Sequence, residues 1–221
     1  MPLRRKQQLI FDGIEHSIRF VLLCYDRLID TLRLAAVDGM PQIEILDAAV
    51  MDAWGIIDHA KRLRTLVENA PGIKQTPDLK AFLAATVEAR DFRHYIQHVE
   101  SKTFDIAVSG FSLWGILNWI NMYEKGKYRS HVYSPGRPAT SEMPLINPLG
   151  RTYHSDIDHI QLTTYLGTTE ISDLVRRARR LGELLVPAIK LAEESEQRDP
   201  NGLVRVEIRN LEVQESCDPS H

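Results

Sequence analysis

The sequence predicts an α+β protein, in which a bundle of four long helices holds a small antiparallel β-sheet between the third and the fourth. In four stretches, apolar residues recur at alternating spacings of three and four, the pattern of a helix with one buried face. Between the third and fourth stretches, Gly, Pro and Asn separate short runs typical of strands. The length of 221 residues fits one domain.

The first two helices are predicted from long apolar stripes, and Pro41 opens the second. The stripe of the first helix is Phe11, Ile14, Ile18, Val21, Tyr25, Leu28, Leu32 and Ala35. The stripe of the second helix is Leu46, Ala49, Ala53, Ile56, Ala60, Leu63 and Val67. Helices with this spacing can pack lengthwise against one another.

The third helix is predicted to start at "TPD", where Thr76 can cap and Pro77 suits the first helical position. Its stripe is Phe82, Ala85, Ala89, Phe92, Ile96 and Val99. The fourth helix is predicted to follow Thr168 and Thr169, and Pro187 should kink it or end its regular part. Its stripe is Ile171, Leu174, Ala178, Leu181, Leu185, Ala188 and Ala192.

The strand-rich insertion is predicted at about 104–168, with turns at "EKGK", "SPGRP" and "NPLG". "FSLWGILNWI" is apolar on both faces and is interpreted as a central strand rather than a short buried helix. "IDHIQLTTYL" is a second strand, with Ile160, Leu162, Thr164 and Leu166 on one face. The domain 1–221 then comprises a bundle at about 5–101 and 169–198, this insertion, and a C-terminal strand and tail at about 202–221.

Composition excludes several classes of protein. The formal charge of −3 gives no global attraction for nucleic acid, so a polyanion would need a local patch. The two cysteines, Cys24 and Cys217, allow neither a disulfide framework nor a four-cysteine metal site, which favours a reducing cytoplasm. The longest apolar run, about 110–120, is too short to cross a bilayer, and no targeting segment is evident.

One polar cluster, "RDFRHYIQHVES", is predicted on the third helix outside its apolar stripe. It contains Arg90, Arg93, His94, Gln97 and His98. A solvated helix face is one interpretation. The other is an active site, since guanidinium groups grip phosphate and imidazoles move protons near neutral pH. Those groups suffice for a ribonuclease that needs no metal.

The run "RHYIQH" resembles the signature of HEPN-fold proteins, an arginine and a polar residue followed by a histidine, here Arg93, His94 and His98. The preceding helix, "DAWGIIDHAKRLRTLVENAPG", resembles that of uncharacterised bacterial HEPN-like proteins, and the likeness spans about residues 40–101. The polar position, usually asparagine or aspartate, holds His94. The strand-rich insertion is not part of the common HEPN bundle.

This resemblance implies a cytoplasmic homodimer that cleaves RNA without a cofactor. His98 would act as base toward a 2′-hydroxyl, Arg93 would stabilise charge on the phosphate, and His94 would assist. Arg90 and Gln97 would bind the substrate. HEPN-like proteins often belong to toxin–antitoxin or phage-defence systems, so an antitoxin or defence protein is an expected partner. The alternative is a non-catalytic HEPN-like module that binds a nucleotide or a partner protein.

Other polar runs have two interpretations each. His94 and His98, four apart, suit zinc, although the glutamate of a zinc-hydrolase helix is missing. "HSDIDH" at 154–159 is either a metal cluster or the solvated side of a strand. "IIDHAKRLR" places Asp58, His59 and Arg62 on the second helix, where they form salt bridges between residues four apart or support the site on the third helix. "RRARR" at 176–180 is a phosphate contact or a solvated helix, and Trp114 and Trp119 are assigned to the core.

Overall fold

The structure, a computed structural model, describes residues 5–36, 43–70, 72–73, 75–97, 99–136 and 145–194. Within these ranges it does not describe the side chains of residues 90, 93, 94, 96, 97, 99, 102 and 192–194. The helices there are α1 (Arg5–Ala36), α2 (Ile43–Asn69), α3 (Pro77–Ala85), α4 (Val87–Gln97), α5 (Val99–Ser109) and α6 (Ile171–Glu194). The strands are β1 (Ile116–Glu124), β2 (Lys127–Tyr133), β3 (Ile157–Thr164) and β4 (Gly167–Glu170). The fold is therefore mixed helix and sheet, as predicted.

The first two helices pair along their length, and their predicted stripes are confirmed. All seven predicted stripe residues of α2 are buried, and in α1 only Phe11 and Tyr25 are partly exposed. Gly55 of α2 meets Cys24 of α1, where an added Cβ would lie 3.2 Å from the Cys24 sulfur. Helix α6 crosses α1 just as closely, since a Cβ at Gly182 would lie 2.8 Å from Ile18. Small residues thus let both helices approach α1.

The prediction of one continuous third helix was wrong. Thr76 caps α3 through a 3.2 Å bond from the Leu79 N–H, and Pro77 follows it, as expected. The helix ends at Thr86, which is fully buried and whose hydroxyl donates to the Phe82 carbonyl at 2.9 Å. The Arg64 guanidinium of α2 donates a hydrogen bond to the same hydroxyl at 3.0 Å. Side-chain bonds that compete with the helical ladder therefore divide α3 from α4.

The boundaries of the insertion also differ from those predicted. Residues 104–109, assigned to the strand-rich part, continue helix α5 to Ser109. Its end is closed by the Gly110 N–H, which bonds the Ile106 carbonyl in a left-handed turn. Thr168 and Thr169 belong to β4, and α6 starts only at Ile171. Pro187 does not end α6, which runs on to Glu194.

The predicted antiparallel sheet is confirmed, with the strand order β2-β1-β3-β4. The second half of "FSLWGILNWI", from Ile116, begins the central strand β1, whose first six residues are buried, whereas residues 111–115 precede the strand. Leu117 and Trp119 join the apolar cluster that the helices share, whereas Ile116 and Ile120 alternate with them and are buried on the other side. The central strand β1 is thus covered on both faces, whereas β2 has no fully buried residue.

Some predicted positions lie elsewhere or outside the described residues. Leu166 lies in the β3–β4 turn rather than on the strand and is 48% exposed. Trp119 is buried as predicted, but Trp114, in the turn before β1, is 47% exposed. The C-terminal strand at about 202 and Pro41 fall outside the described residues. Among the described helices, none has both the length and the apolar character needed to cross a bilayer.

Candidate functional site

The helix that carries the predicted site is α4. Its span confirms that Arg90, Arg93, His94 and Gln97 lie on one helix. The side chains of these four residues are not described, and His98 lies outside the described residues, between α4 and α5. What the structure describes is how α4 is held and which of its positions face the core.

Aromatic packing fixes α4 against α2. Phe92 and Tyr95 are each 2% exposed, and both rings lie about 6 Å from the Trp54 ring of α2. The Tyr95 hydroxyl donates to the Leu113 carbonyl at 2.6 Å, and the Trp54 indole donates to the Trp114 carbonyl at 3.0 Å. Burial raises the pKa of Tyr95 to about 12, so this hydroxyl stays a donor. The helix is thus tied both to α2 and to the segment that leads into β1.

The motif positions lie on the other side of this helix. Ala89, Phe92 and Tyr95 define its buried side. At 3.6 residues per turn, positions 90, 93, 94 and 97 fall in an arc of about 100° roughly opposite that side. Positions 90 and 94 are the farthest from the core and position 93 is the nearest. The backbone of α4 therefore places four of the five predicted site positions on one arc, and His98 lies outside the described residues.

The next helix, α5, carries exposed apolar residues. Phe104 is 78% exposed and Val108, one turn further on, is 74% exposed, whereas Ile106 is buried. Of the remaining described side chains of α5, those of Glu100, Ser101, Thr103 and Asp105 are exposed as well. An 11-residue helix that buries so little is marginally stable by itself. The pair Phe104 and Val108 is consistent with a contact surface next to the motif.

A second polar cluster, which sequence reasoning missed, joins residues 151–153 to β3 and β4. His159 has a φ of 52°, the left-handed region, at a bulge of β3. Its Nε2 donates to the Thr152 carbonyl at 3.0 Å, and its Nδ1 lies 3.4 Å from Arg151 and 3.9 Å from Glu170. Burial raises the pKa of Glu170, whose Oε1 has no hydrogen-bond partner.

This cluster fastens the chain rather than offering a free base. The His159 side chain is 12% exposed, and its two ring nitrogens contact the Thr152 carbonyl and the Arg151 guanidinium. In the sequence, the run "HSDIDH" was the only signal of this polar cluster. No sequence pattern indicates that Glu170 lies near His159.

The prediction that "HSDIDH" forms the solvated side of a strand was wrong. Strand β3 begins only at Ile157, and the Asp158 side chain is 1% exposed. Its carboxylate accepts the N–H groups of His154 and His159 at 2.8 and 2.7 Å, and Arg176 at 3.0 Å. Burial alone would raise the pKa of Asp158, but these donors hold it below its usual value. Asp158 is thus a structural carboxylate.

Three of the four arginines of "RRARR" form ion pairs with described residues. Arg176 contacts Asp158, Arg177 contacts Asp173 at 2.7 Å, and Arg180 contacts Asp78 of α3 at 2.8 Å. An open groove of about 390 Å³ between α3 and α6 is lined by Asp78, Arg176, Arg179, Arg180, Glu183 and Leu184. Carboxylates therefore offset most of the positive charge that would attract a phosphate.

The remaining candidates favour structural roles. Arg62 and Asp58, four apart on α2, form a 2.6 Å salt bridge, as the first interpretation of "IIDHAKRLR" required. Burial lowers the pKa of the neighbouring His59, whose ring lies 5.0 Å from that of Phe20. Within the described ranges, no group of three or more His, Cys, Asp and Glu side chains is placed to hold a metal ion. The zinc interpretation of His94 and His98 stays a prediction, because the side chain of His94 is not described and His98 lies outside the described residues.

The chain was compared with protein-family models, curated proteins and solved structures, and none of the three comparisons found a match.

Proposed function

We propose that this protein is a HEPN-like endoribonuclease that works in the cytoplasm without a metal. The observation that supports it best is the position of α4, a helix anchored by Phe92 and Tyr95 whose opposite arc carries positions 90, 93, 94 and 97. A rigid helix that presents arginine and histidine positions together suits a site that must hold a phosphate and move a proton. The resemblance of "RHYIQH" to the HEPN signature supplies the reaction.

In the proposed reaction, His98 takes the proton of an RNA 2′-hydroxyl, and the oxygen attacks the adjacent phosphorus. The bond from phosphorus to the 5′-oxygen breaks, which leaves a cyclic phosphate on one product and a 5′-hydroxyl on the other. Arg93 stabilises the charge that develops on the phosphate oxygens. His94 protonates the leaving oxygen or positions the phosphate, and Arg90 and Gln97 bind the neighbouring backbone.

The proposed enzyme is a homodimer. On a straight helix, residues five apart point about 140° away from each other, so Arg93 and His98 of one chain need not contact the same phosphate. Two copies that meet along α4 and α5 would bring an arginine of one motif to the histidine of the other. The exposed Phe104 and Val108 supply apolar surface for that contact. We expect sedimentation to show a dimer at micromolar concentration and Phe104→Ser to weaken it.

A biological role follows from the same proposal. An endoribonuclease of this kind would serve as a toxin or in phage defence and would be held inactive by an antitoxin or another defence protein. A chain without ribonuclease activity would instead be a module that binds a partner protein or a nucleotide, and the exposed apolar pair on α5 also favours the protein-binding form. A cleavage assay separates the two.

The assay incubates the purified protein with mixed RNA in the presence of EDTA. We expect cleavage by the wild type and its loss, by a typical 10²–10⁴-fold for a general base, in His98→Ala. Arg93→Ala should lose cleavage as well. Matched controls are His16→Ala and Arg19→Ala, which remove the same residue types from the exposed side of α1 and should leave cleavage intact. An inert wild type, or motif variants that cut as well as the controls, would contradict the proposal.

A further inference from the structure

The strands β1 and β2 meet in a hairpin whose end is rich in cations and tyrosines. The segment 123–129, "YEKGKYR", is called the hairpin tip here. Lys125 and Gly126 form its two-residue turn, with Gly126 at a φ of 78°. The tip holds three cations and one carboxylate in a chain whose formal charge is −3. We propose that the hairpin tip binds single-stranded RNA, with a base stacked on Tyr123 and phosphates held by Lys125 and Arg129.

The stacking surface is the ring of Tyr123. This side chain is 49% exposed, although it continues a strand whose first six residues are buried. The guanidinium carbon of Arg129 lies 4.4 Å from the centre of the ring, a cation–π contact. A cation against an aromatic ring that remains half exposed matches how proteins bind single strands, where bases stack on aromatic rings and cations follow the backbone. Duplex RNA does not offer such unstacked bases.

The charge balance at the hairpin tip differs from that of the α6 arginines. On α6, the carboxylates of Asp158, Asp173 and Asp78 offset three of the arginines. At the tip, Glu124 contacts Lys127 at 2.5 Å, and Lys125 forms no salt bridge with any described residue. Lys125 therefore differs from these three arginines, because none of the described carboxylates pairs with it.

The hairpin is held in place before any ligand arrives. Tyr128 stacks on Tyr153 at 4.3 Å, and the Met122 N–H donates to the Asp156 carbonyl at 2.7 Å. Asp156 in turn binds Arg33 of α1 through two bonds of 2.7 and 2.8 Å. These contacts link the base of the hairpin to α1 and to the segment before β3. A surface that is already ordered loses less entropy on binding.

This inference rests on the proposed function for the choice of RNA as ligand, so the test measures binding separately from cleavage. The probe is a short fluorescein-labelled oligouridylate, followed by fluorescence anisotropy in EDTA. Every variant carries His98→Ala, so that the probe is not consumed. We expect Tyr123→Ala to weaken binding by roughly 5- to 150-fold, the effect of losing one base stack. Lys125→Gln should weaken binding and reduce its dependence on salt.

Two controls accompany these variants. Tyr123→Phe keeps the ring and should bind like the parent. Lys190→Gln removes one exposed cation from α6 and should also bind like the parent. Circular dichroism and unfolding in urea confirm that each variant is folded, and Lys125→Gln, at an exposed turn, tests the surface even if Tyr123→Ala disturbs the strand.

The outcomes separate this inference from the proposed function. A parent protein that does not bind the oligouridylate, or hairpin variants that bind as tightly as Lys190→Gln, would overturn the inference. Cleavage that depends on Arg93 and His98 would still support the endoribonuclease. RNA that is bound through the hairpin tip but never cut by the wild type would instead overturn the endoribonuclease and leave this inference standing.

Discussion

Removal of the buried Asp158 carboxylate should destabilise the protein strongly. Asp158→Ala leaves the N–H groups of His154 and His159 without their acceptor, and both bonds are shorter than 3 Å. It also removes the partner of Arg176, but that side chain is 36% exposed and can turn toward water. The main loss is therefore at the two backbone donors and at the left-handed residue His159, which they help to hold.

The size of the effect follows from these contacts. A donor left unsatisfied in a buried place costs roughly 1–3 kcal/mol. Two such donors, taken near the lower end because residues 151–154 lie near solvent, give a loss of about 3 kcal/mol in the free energy of unfolding at pH 7. The matched control is Asp173→Ala. Asp173 also contacts Arg176 but is 37% exposed, so its loss should cost less than about 1 kcal/mol.

The loss should also depend on pH. The pKa of Asp158 is lowered in the folded protein, so its carboxylate stabilises the fold above the unfolded pKa of about 3.9. This contribution disappears as the pH falls through the lower, folded pKa. The difference between wild type and Asp158→Ala should therefore be largest near pH 7 and should shrink below about pH 4. Asp156, whose pKa is also lowered, is present in both proteins and cancels.

Unfolding in urea, followed by far-UV circular dichroism across this pH range, provides the measurement. Equal slopes of the unfolding transition would show that the two proteins can be compared directly. The reasoning fails if Asp158→Ala loses no more stability than Asp173→Ala. It also fails if the difference between wild type and Asp158→Ala is the same at every pH.

Three more substitutions test separate contacts by urea unfolding. Because burial raises the pKa of Glu170, its ionised form destabilises the fold above its unfolded pKa; Glu170→Gln should therefore add about 0.5 kcal/mol at pH 7, an advantage that fades as the pH falls. Tyr95→Phe should cost about 1 kcal/mol, because the Leu113 carbonyl loses a buried donor, and an unchanged stability would show that water replaces it. Gly115→Ala should cost about 1–3 kcal/mol, since the residue has a φ of 80° and the new Cβ would lie 2.9 Å from the Thr163 carbonyl oxygen; a silent substitution would contradict this geometry.

The elements predicted best from the sequence are those whose signal is local and repeated. In α2 all seven predicted stripe residues are buried. The prediction succeeded because an apolar stripe repeated along 27 residues is hard to interpret as anything but a helix with one buried face. The turn at Gly126 was predicted from its turn residues, and the central strand β1 from an apolar run without periodicity that also allowed a short buried helix.

The elements that were missed depend on tertiary partners. The break at Thr86 depends on its hydroxyl, which donates to two carbonyls of α3 and accepts a hydrogen bond from Arg64 of α2. No local sequence pattern indicates this arrangement. Asp158 looked like a surface residue because its partner Arg176 is 18 residues away. Helix α4 carries four of the five candidate positions on one arc, whereas the position of His98 and the roles of Arg93, His94 and His98 remain predictions.

The close crossing of α1 and α6 has a consequence for how the chain is made. Helix α1 leaves the ribosome before the other described elements and can pair with α2 as soon as α2 follows, since the two are neighbours in the sequence. Its side toward α6, around Ile18, waits until almost the whole described chain has been synthesised. Until then that apolar side is open to other nascent chains and to chaperones. A ribosome that stalls before Ile171 would therefore release a chain prone to aggregation.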